Sequence, residues 1–192
     1  AAPFGTIAYL VVWGFFNRGG AAGTLGLLAL QVLVGTGARV MMVSRTARRF
    51  ALARELGATA TQLAGDGPLD GAARAFSGRE GVGVVVETAG TQEAVSHALA
   101  LVRPGGRIVL TGLPHEPTPV AFFSVVRREV TMIGSMIYQD EFPEAMRLVA
   151  AGTVRTRPLV THRFGLAAIG EAFAAHQRPD AIKVAVRTSL GH

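Results

Sequence analysis

Apolar runs and helix-period segments alternate along most of the chain. The segment 39–44, RVMMVS, is a continuous apolar run that ends in a polar residue, which is typical of a strand buried on both faces. A helix-period segment at 24–34 precedes it and ends in glycines, which suit a helix C-terminus. The segment 47–58 again shows helical spacing followed by glycine. This alternation predicts an α/β fold, a Rossmann-like doubly wound parallel sheet.

The same pattern continues toward the C-terminus and then changes. Further strands are predicted within 82–90, 103–114 and 129–135, and further helices at 92–102 and 141–151. The last three segments, two strands and the helix between them, break the rhythm and are assigned to a different unit: 158–164, 166–176 and 181–187. We therefore divide the chain into a lead-in at 1–20, a nucleotide-binding domain at 21–153 and a tail at 154–192.

Charge and cysteine content exclude several classes of protein. The formal net charge is +6, but the basic residues are scattered, which argues against a nucleic-acid partner. The one concentrated group is Arg45, Arg48, Arg49 and Arg54. No cysteine is present, so disulfides and thiolate metal sites are excluded from these residues, and a cytoplasmic setting is the simpler expectation. The apolar runs are too short or too interrupted to predict a membrane span.

A glycine-rich segment at 20–31, GAAGTLGLLALQ, has the spacing of a dinucleotide-binding loop. Gly23 is the glycine that lets the backbone approach a pyrophosphate, Gly26 allows close packing of the helix, and Ala21 replaces the turn glycine. The helix start, which includes Thr24 and Leu25, would offer its N–H groups to the phosphates. The alternative is a glycine-containing helix start that binds no ligand.

The end of the strand at 39–44 bears on the choice of cofactor. A site that prefers NAD carries Asp or Glu here to bind the ribose hydroxyls, whereas this chain has Ser44 and Arg45. A hydroxyl and a guanidinium can both bind a 2′-phosphate, and Arg48 or Arg49 can join them. The sequence therefore favours NADP over NAD. The alternative is that these arginines only solvate a helix face.

Five segments together resemble the medium-chain dehydrogenase/reductase superfamily, which contains the zinc-type alcohol dehydrogenases and their quinone-reductase-like relatives. In chain order they are GTLGLLALQVLVGTGARVMMVSRTARRFALARELGA, VVVETAG, ALALVRPGGRIVLTGLP, REVTMIGS and THRFGLAAIGEAF with the later PDAIKVAVR. The resemblance covers roughly residues 21–187. It implies that two strand ends border the ribose and nicotinamide, and that a third segment, around Ser135, closes over the carboxamide. The residues at those two strand ends are Thr88, Gly90, Gly112 and Leu113.

The chain departs from that family in two ways. It lacks the catalytic domain that precedes the nucleotide-binding domain, so any zinc site belongs to that absent domain, and the tail strands are left over from it. The family also has a strand directly before the glycine loop. Here YLVVWG, at 9–14, is either that strand followed by an inserted FFNRGG or part of a helix with the strand deleted, and we favour the helix. Without the strand, the phosphate loop would lose its anchor.

The resemblance implies an NADP-dependent oxidoreductase represented by its cofactor-binding part, with an alcohol, polyol, ketone or quinone as substrate. The alternative is a non-catalytic nucleotide-binding or dimerisation module. Four histidines are candidates for proton transfer, but no two have metal-ligand spacing: His97, His115, His162 and His176. We assign no catalytic residue and no metal site, and we expect this chain alone to oxidise no alcohol.

The apolar segment 129–135 also predicts an oligomer. In the family that it resembles, nucleotide-binding domains dimerise by pairing edge strands. An apolar edge strand left bare promotes aggregation, and proteins cover or pair such edges. We therefore expect a homodimer. The alternative is that the tail folds back and covers this edge within one chain.

Overall fold

A six-stranded sheet forms the centre of the computed structural model, which describes residues 9–14, 23–78, 80–114, 116–136 and 140–188. Every strand runs parallel to its neighbours. The strands are β1 (Tyr9–Gly14), β2 (Arg39–Ser44), β3 (Ala60–Leu63), β4 (Val82–Thr88), β5 (Val102–Leu110) and β6 (Thr131–Gly134).

Six helices connect or follow these strands. They are α1 (Thr24–Gly35), α2 (Phe50–Glu55), α3 (Leu69–Ser77), α4 (Gln92–Leu101), α5 (Phe122–Arg127) and α6 (Phe142–Ala150). The strand order is β3-β2-β1-β4-β5-β6, which is the order of a doubly wound nucleotide-binding sheet. The predicted fold class is therefore confirmed. The order reverses between β1 and β4, and in open α/β sheets ligands bind at such a switch point, outside the carboxyl ends of the strands.

The position of β2 between two layers of helices explains the apolar run at the centre of its sequence. Successive side chains of a strand point to opposite faces of a sheet. Val40 and Met42 pack in a cluster with residues of α1 and α2, whereas Met41 and Val43 pack in a second cluster with residues of α3 and α4. All four side chains are almost completely buried. A strand covered by helices on both faces has no solvent-facing side and therefore needs no polar alternation.

The preference for a helix at 9–14 is wrong, because this segment is the central strand β1. Its backbone pairs with β2 on one side, where Val11 is opposite Met41, and with β4 on the other, where Val11 is opposite Val85. An apolar run of this length has the same pattern in a buried strand and in a buried helix, so periodicity could not separate the two. The predicted turn residue Ala21 and the inserted segment lie outside the described residues.

Three elements were not predicted from the pattern: β3, α3 and α5. Strand β3 has only four residues, all of them half-buried, and its sequence ATQL carries little strand signal. Helix α5 has no fully buried residue, and Val125 is its one apolar side chain that packs against the core, so its sequence shows no clear inward-facing stripe. In the part of the chain that the structure describes, no helix has the length and apolar character needed to cross a membrane.

The tail forms a separate two-stranded parallel sheet of β7 (Val160–Gly165) and β8 (Lys183–Arg187), joined through helix α7 (Ile169–His176). Both predicted tail strands are therefore present. Leu159 and Ile182 pack in the apolar cluster of α1, β2 and α2. The tail is thus attached beside α1, and neither of its described strands pairs with β6.

A buried glutamine joins α1 to the segment that leads into the tail. Gln31 of α1 is 3% exposed; its Nε2 donates to the carbonyl oxygen of Arg155 at 3.3 Å and its Oε1 accepts from the Arg155 N–H at 2.7 Å. The division into domains at residue 153 stays a prediction, since these contacts join both sides of it.

Candidate functional site

The carboxyl ends of the central strands meet at one edge of the sheet. Gly14 ends β1 and is paired with Thr88, which ends β4. Glu87, the residue before it, is paired with Leu110 at the end of β5. Since the strand order reverses here, segments that are distant in sequence meet at this edge and form the candidate site.

Helix α1 begins beside this edge with an N-terminus that is bare, in the sense that its N-cap residue has no side chain to cap it. That residue is Gly23, and its backbone is extended. The first N–H groups of a helix have no partner within it, and they carry the positive end of the helix dipole. The first turn of α1 has no acidic residue. Of the predicted residues, Gly26 is buried and Leu25 is half exposed. This helix start suits an anionic group such as a phosphate.

The hydroxyl of Thr24, in the first turn of α1, faces the tail. Its Oγ1 donates to the carbonyl oxygen of Ile182 at 3.1 Å. The segment that leads into β8 therefore lies beside the predicted phosphate site. This contact spans almost the whole chain, and the local sequence around Thr24 gave no sign of it.

The three residues predicted to bind a 2′-phosphate have different environments. Ser44 is completely buried, and its Oγ accepts a hydrogen bond from the Thr46 N–H at 3.2 Å. Arg45, the next residue, is exposed. Arg49 is 9% exposed and donates from Nη2 to the carbonyl oxygen of Ala181 at 2.6 Å. The structure thus leaves Arg45 at the surface, while Ser44 holds the turn and Arg49 binds the tail.

Burial and charge both act on the Arg49 guanidinium. Desolvation lowers its pKa below the usual value, the neighbouring charge of Arg48 lowers it further, and Asp180 acts in the opposite direction. An arginine remains protonated despite such shifts. Arg49 therefore adds positive charge behind the end of β2, and the carboxylate of Asp180 in the tail acts on that charge.

Two loops touch backbone to backbone at the ends of β4 and β5. A Cβ atom placed on Gly112 would lie 2.0 Å from the nitrogen of Gly90, and one placed on Gly90 would lie 2.6 Å from the carbonyl oxygen of Leu113. Gly90 also has φ +68°, a conformation that favours glycine. Gly90, Gly112 and Leu113 are therefore in contact, and Thr88 ends the strand that leads into the first loop. Their predicted place beside the ribose and nicotinamide stays a prediction.

Ser135 lies at the same edge, one strand further out. It follows β6, and its N–H donates to the carbonyl oxygen of Leu110 at 2.9 Å. Its side chain is exposed. Three consecutive strand ends, those of β4, β5 and β6, thus each carry predicted residues.

Sequence reasoning missed Glu87, which connects the two touching loops. It is completely buried, and its Oε1 accepts from the N–H groups of Ala89 at 2.5 Å and Gly90 at 2.9 Å. Burial raises the pKa of this carboxyl, and the nearby backbone N–H groups of Gly90, Ala89 and Gly112 act in the opposite direction. The available signal was a single acidic residue in the apolar run VVVETAG.

The described candidate histidines lie on elements other than the strand ends and loops of the site. His115 lies outside the described residues, and His97 lies on α4. His162 of β7 is paired with Asp180, with 3.7 Å between Nε2 and Oδ2, and His176 ends α7. Across the described ranges, no group of three or more His, Cys, Asp or Glu side chains is placed to hold a metal ion.

The described residues fit a dinucleotide at this edge. The bare helix start has no acidic residue in its first turn to repel phosphate, and the end of β2 carries Ser44 and Arg45 in place of an acid. The glycine loops present backbone rather than side chains. Each part of the site therefore offers the chemistry that phosphate, ribose and a planar ring require.

The sequence and the fold both match known dehydrogenases. The sequence model of the zinc-binding dehydrogenase family matches residues 24–151. Human sorbitol dehydrogenase is 32% identical over 170 residues, which are 86% of this chain and 47% of the human protein. The chain thus spans about half the length of the curated relatives it matches.

Two solved structures with bound cofactor have the same fold. A candidate zinc-binding dehydrogenase from Sinorhizobium meliloti 1021, bound to NADP, has a TM-score of 0.78 and 29% identity over 95% of this chain and 52% of that one. An Escherichia coli CFT073 protein, described as a short chain alcohol dehydrogenase and complexed with NADH, has a TM-score of 0.79 and 25% identity, covering 93% of this chain and 51% of its own.

We expect Gly112→Ala to destabilise the protein by about 2 kcal/mol or more, because the new methyl group would collide with the backbone of Gly90. The control is Gly71→Ala in α3, where the nearest atom to the new Cβ would be 3.8 Å away. Urea denaturation measures both changes. Equal stability of the two variants would show that the loops can separate without cost.

We also expect Glu87→Gln to change the pH dependence of stability. A carboxyl whose pKa is raised by folding binds more protons in the folded state, so the wild-type protein loses stability as pH rises above the ordinary value of 4.5. The glutamine has no proton to lose. Between roughly pH 5 and 8, the Tm of the variant should therefore rise relative to the Tm of the wild type.

The same substitution at the exposed Glu93, in the first turn of α4, provides the comparison. Differential scanning fluorimetry across this pH range gives both series. A difference in Tm at Glu87 that stays constant with pH would contradict the raised pKa.

Proposed function

Because this chain belongs to the zinc-binding dehydrogenase family, we propose that it is the cofactor-binding part of an NADP-dependent oxidoreductase. The reaction is hydride transfer between the nicotinamide and a small substrate, an alcohol, polyol, ketone or quinone. The observation that carries the proposal is the position of the bare α1 N-terminus beside the glycine loops at the switch point of the sheet. The cofactor-bound neighbours support a nicotinamide dinucleotide as the ligand.

The phosphate end of the proposed site is formed by α1 and the end of β2. The backbone N–H groups at Gly23, Thr24, Leu25 and Gly26 bind the pyrophosphate. Arg45 binds the 2′-phosphate. Ser44 holds the turn that presents Arg45, and the buried Arg49 contributes positive charge from behind the end of β2. The absence of a carboxylate at Ser44 removes the group that would select against that phosphate.

The nicotinamide end is formed by the glycine loops. A bound nicotinamide supplies the hydride chemistry. Gly90 and Gly112 keep side chains away from the place of the ribose and ring, and Leu113, which is 50% exposed, offers an apolar surface for the ring. Ser135 closes the outer side toward the carboxamide. These residues orient the cofactor, and none of them transfers a proton.

The proposal assigns the substrate groove and any zinc site to a further domain. The relatives are about twice as long as the segment that matches this chain, which leaves room for such a domain in them. On this basis the isolated 192-residue chain binds cofactor but oxidises no alcohol. A cytoplasmic setting is part of the proposal and is based on the absence of cysteine.

The proposal also includes a homodimer formed through the β6 edge. Among the described strands, β6 pairs with β5 alone. Phe122, Phe123 and Val126 of α5 are 67%, 77% and 76% exposed, and Phe142 of α6 is 71% exposed. These side chains belong to the helices that precede and follow β6 in the chain. Exposed large apolar side chains and an apolar edge strand are both typical of a protein interface. A second copy would continue the sheet across a two-fold axis.

We expect the wild-type chain to bind NADPH more tightly than NADH, and Arg45→Asp to reverse this preference. The substitution removes a charge-assisted contact and adds repulsion, so NADPH affinity should fall roughly ten- to hundredfold. Calorimetric titration with both cofactors measures the change. Arg54→Asp, in the last turn of α2, alters net charge equally and should preserve the preference. Equal or tighter NADH binding by the wild-type chain would contradict the NADP assignment.

We expect light scattering to give twice the chain mass of 20.0 kDa for the wild-type protein and the monomer mass for Phe123→Glu. The new charge would be buried in the proposed interface, whereas in a monomer an exposed position tolerates it within about 0.5 kcal/mol. Phe173→Glu on α7, at a position 72% exposed, is the matched control and should stay dimeric. A monomeric wild-type protein at micromolar concentration would contradict the dimer.

A further inference from the structure

Glu87 is the one carboxyl group that is fully buried among the described residues. It lies in β4, one residue before the strand ends, and its neighbours on the strand are apolar or glycine up to Thr88. Burying a carboxyl is costly unless its oxygens are hydrogen-bonded. A residue kept in this position must therefore make contacts that offset the cost.

The two carboxyl oxygens of Glu87 have unequal environments. Oε1 accepts hydrogen bonds from the N–H groups of Ala89 and Gly90. Oε2 is buried and has no hydrogen-bond partner in the described part of the chain. An ionised carboxylate would leave charge on an unsatisfied oxygen, whereas a proton on Oε2 makes the group neutral and leaves Oε1 free to accept. The geometry thus favours the neutral acid.

The backbone of the same residue binds the neighbouring loop. The carbonyl oxygen of Glu87 accepts from the Thr111 N–H at 2.8 Å, the Thr111 Oγ1 at 2.8 Å and the Gly112 N–H at 3.1 Å. The side chain therefore holds the loop at 88–90, and the main chain holds the loop at 111–113. A single residue fixes both halves of the glycine contact.

We propose that Glu87 is a positioning residue for the nicotinamide end of the bound dinucleotide, acting through the loops that carry Gly90 and Gly112. The inference rests on the proposed function and extends it to a residue that touches neither cofactor nor substrate. Oε1 orders the two N–H groups of the first loop, so that its backbone lies against the second. The cofactor then meets a preformed surface and does not have to order the loops on binding.

This role predicts a different effect on each half of the cofactor. The adenosine 2′-phosphate half binds at α1 and the end of β2, away from the loops at 88–90 and 111–113, and should be insensitive to Glu87. The nicotinamide half should be sensitive. A residue that only stabilises the core would affect both halves together, through the fraction of folded protein.

The experiment compares NADPH with adenosine 2′,5′-bisphosphate, which lacks the nicotinamide half, by calorimetric titration of the 192-residue chain. Glu87→Met keeps the volume and removes the acceptor. It should weaken NADPH binding about tenfold, as expected for two lost hydrogen bonds, and leave the bisphosphate within about twofold of wild type. Glu87→Gln keeps an oxygen acceptor without charge and should restore most of the lost NADPH affinity.

Val85→Ala is the matched control. Val85 lies two residues earlier on β4 and is completely buried, so its truncation destabilises the core without touching either loop. The Val85→Ala variant should bind NADPH and adenosine 2′,5′-bisphosphate with the same affinities as the wild-type chain. Thermal denaturation of every variant identifies the temperature range in which all of them are folded, and the titrations are made within it.

Other results would overturn the positioning role, the neutral carboxyl or the proposed function. Wild-type NADPH affinity in Glu87→Met would overturn the positioning role, and so would an equal loss of both ligands. Failure of Glu87→Gln to restore binding would show that the charge, not the acceptor, is needed, and would overturn the neutral acid. A wild-type chain that binds neither ligand would refute the proposed function and this inference with it.

Discussion

Strand β1 forms backbone hydrogen bonds on both of its edges, and the site depends on this pairing. On one side β2 follows it through α1, and on the other side β4 begins the second half of the sheet. Because all strands are parallel, their carboxyl ends lie at a common edge, and the reversal of strand order opens that edge between β1 and β4. Without β1, the helix start and the glycine loops would belong to two unconnected half-sheets.

Sequence patterns predicted the elements whose physical causes are local. Strand β2 was found with correct bounds because burial on both faces requires an uninterrupted apolar run. Helix α1 was found because a glycine precedes it and glycines follow it. Strand β1 was misassigned because a short, fully apolar run fits a buried helix equally well, and only its pairing partners decide between them.

The candidate site was predictable to a similar degree. The resemblance covered the strand ends that carry the two loop glycines, and the structure brings these glycines into contact. The complete burial of Ser44 and the hydrogen bond from Arg49 to a carbonyl oxygen 132 residues away could not be predicted, because both depend on how distant parts of the chain pack together. Glu87 was not predicted as a site residue because acidic residues are expected at the surface. Its contribution is to order the turn at Ala89 and Gly90, whose N–H groups donate to its carboxyl oxygen.

The attachment of the tail has a consequence for how the protein is made. The hydroxyl of Thr24 and the guanidinium of Arg49 both bind carbonyl groups at 181–182, and the first of these contacts joins residues 158 positions apart. During synthesis Thr24 and Arg49 leave the ribosome long before their partners, which follow them by 158 and 132 residues. The phosphate end of the site therefore reaches its final form only after residue 182 has been made. Until then the growing chain contains a sheet whose contacts with the tail are missing.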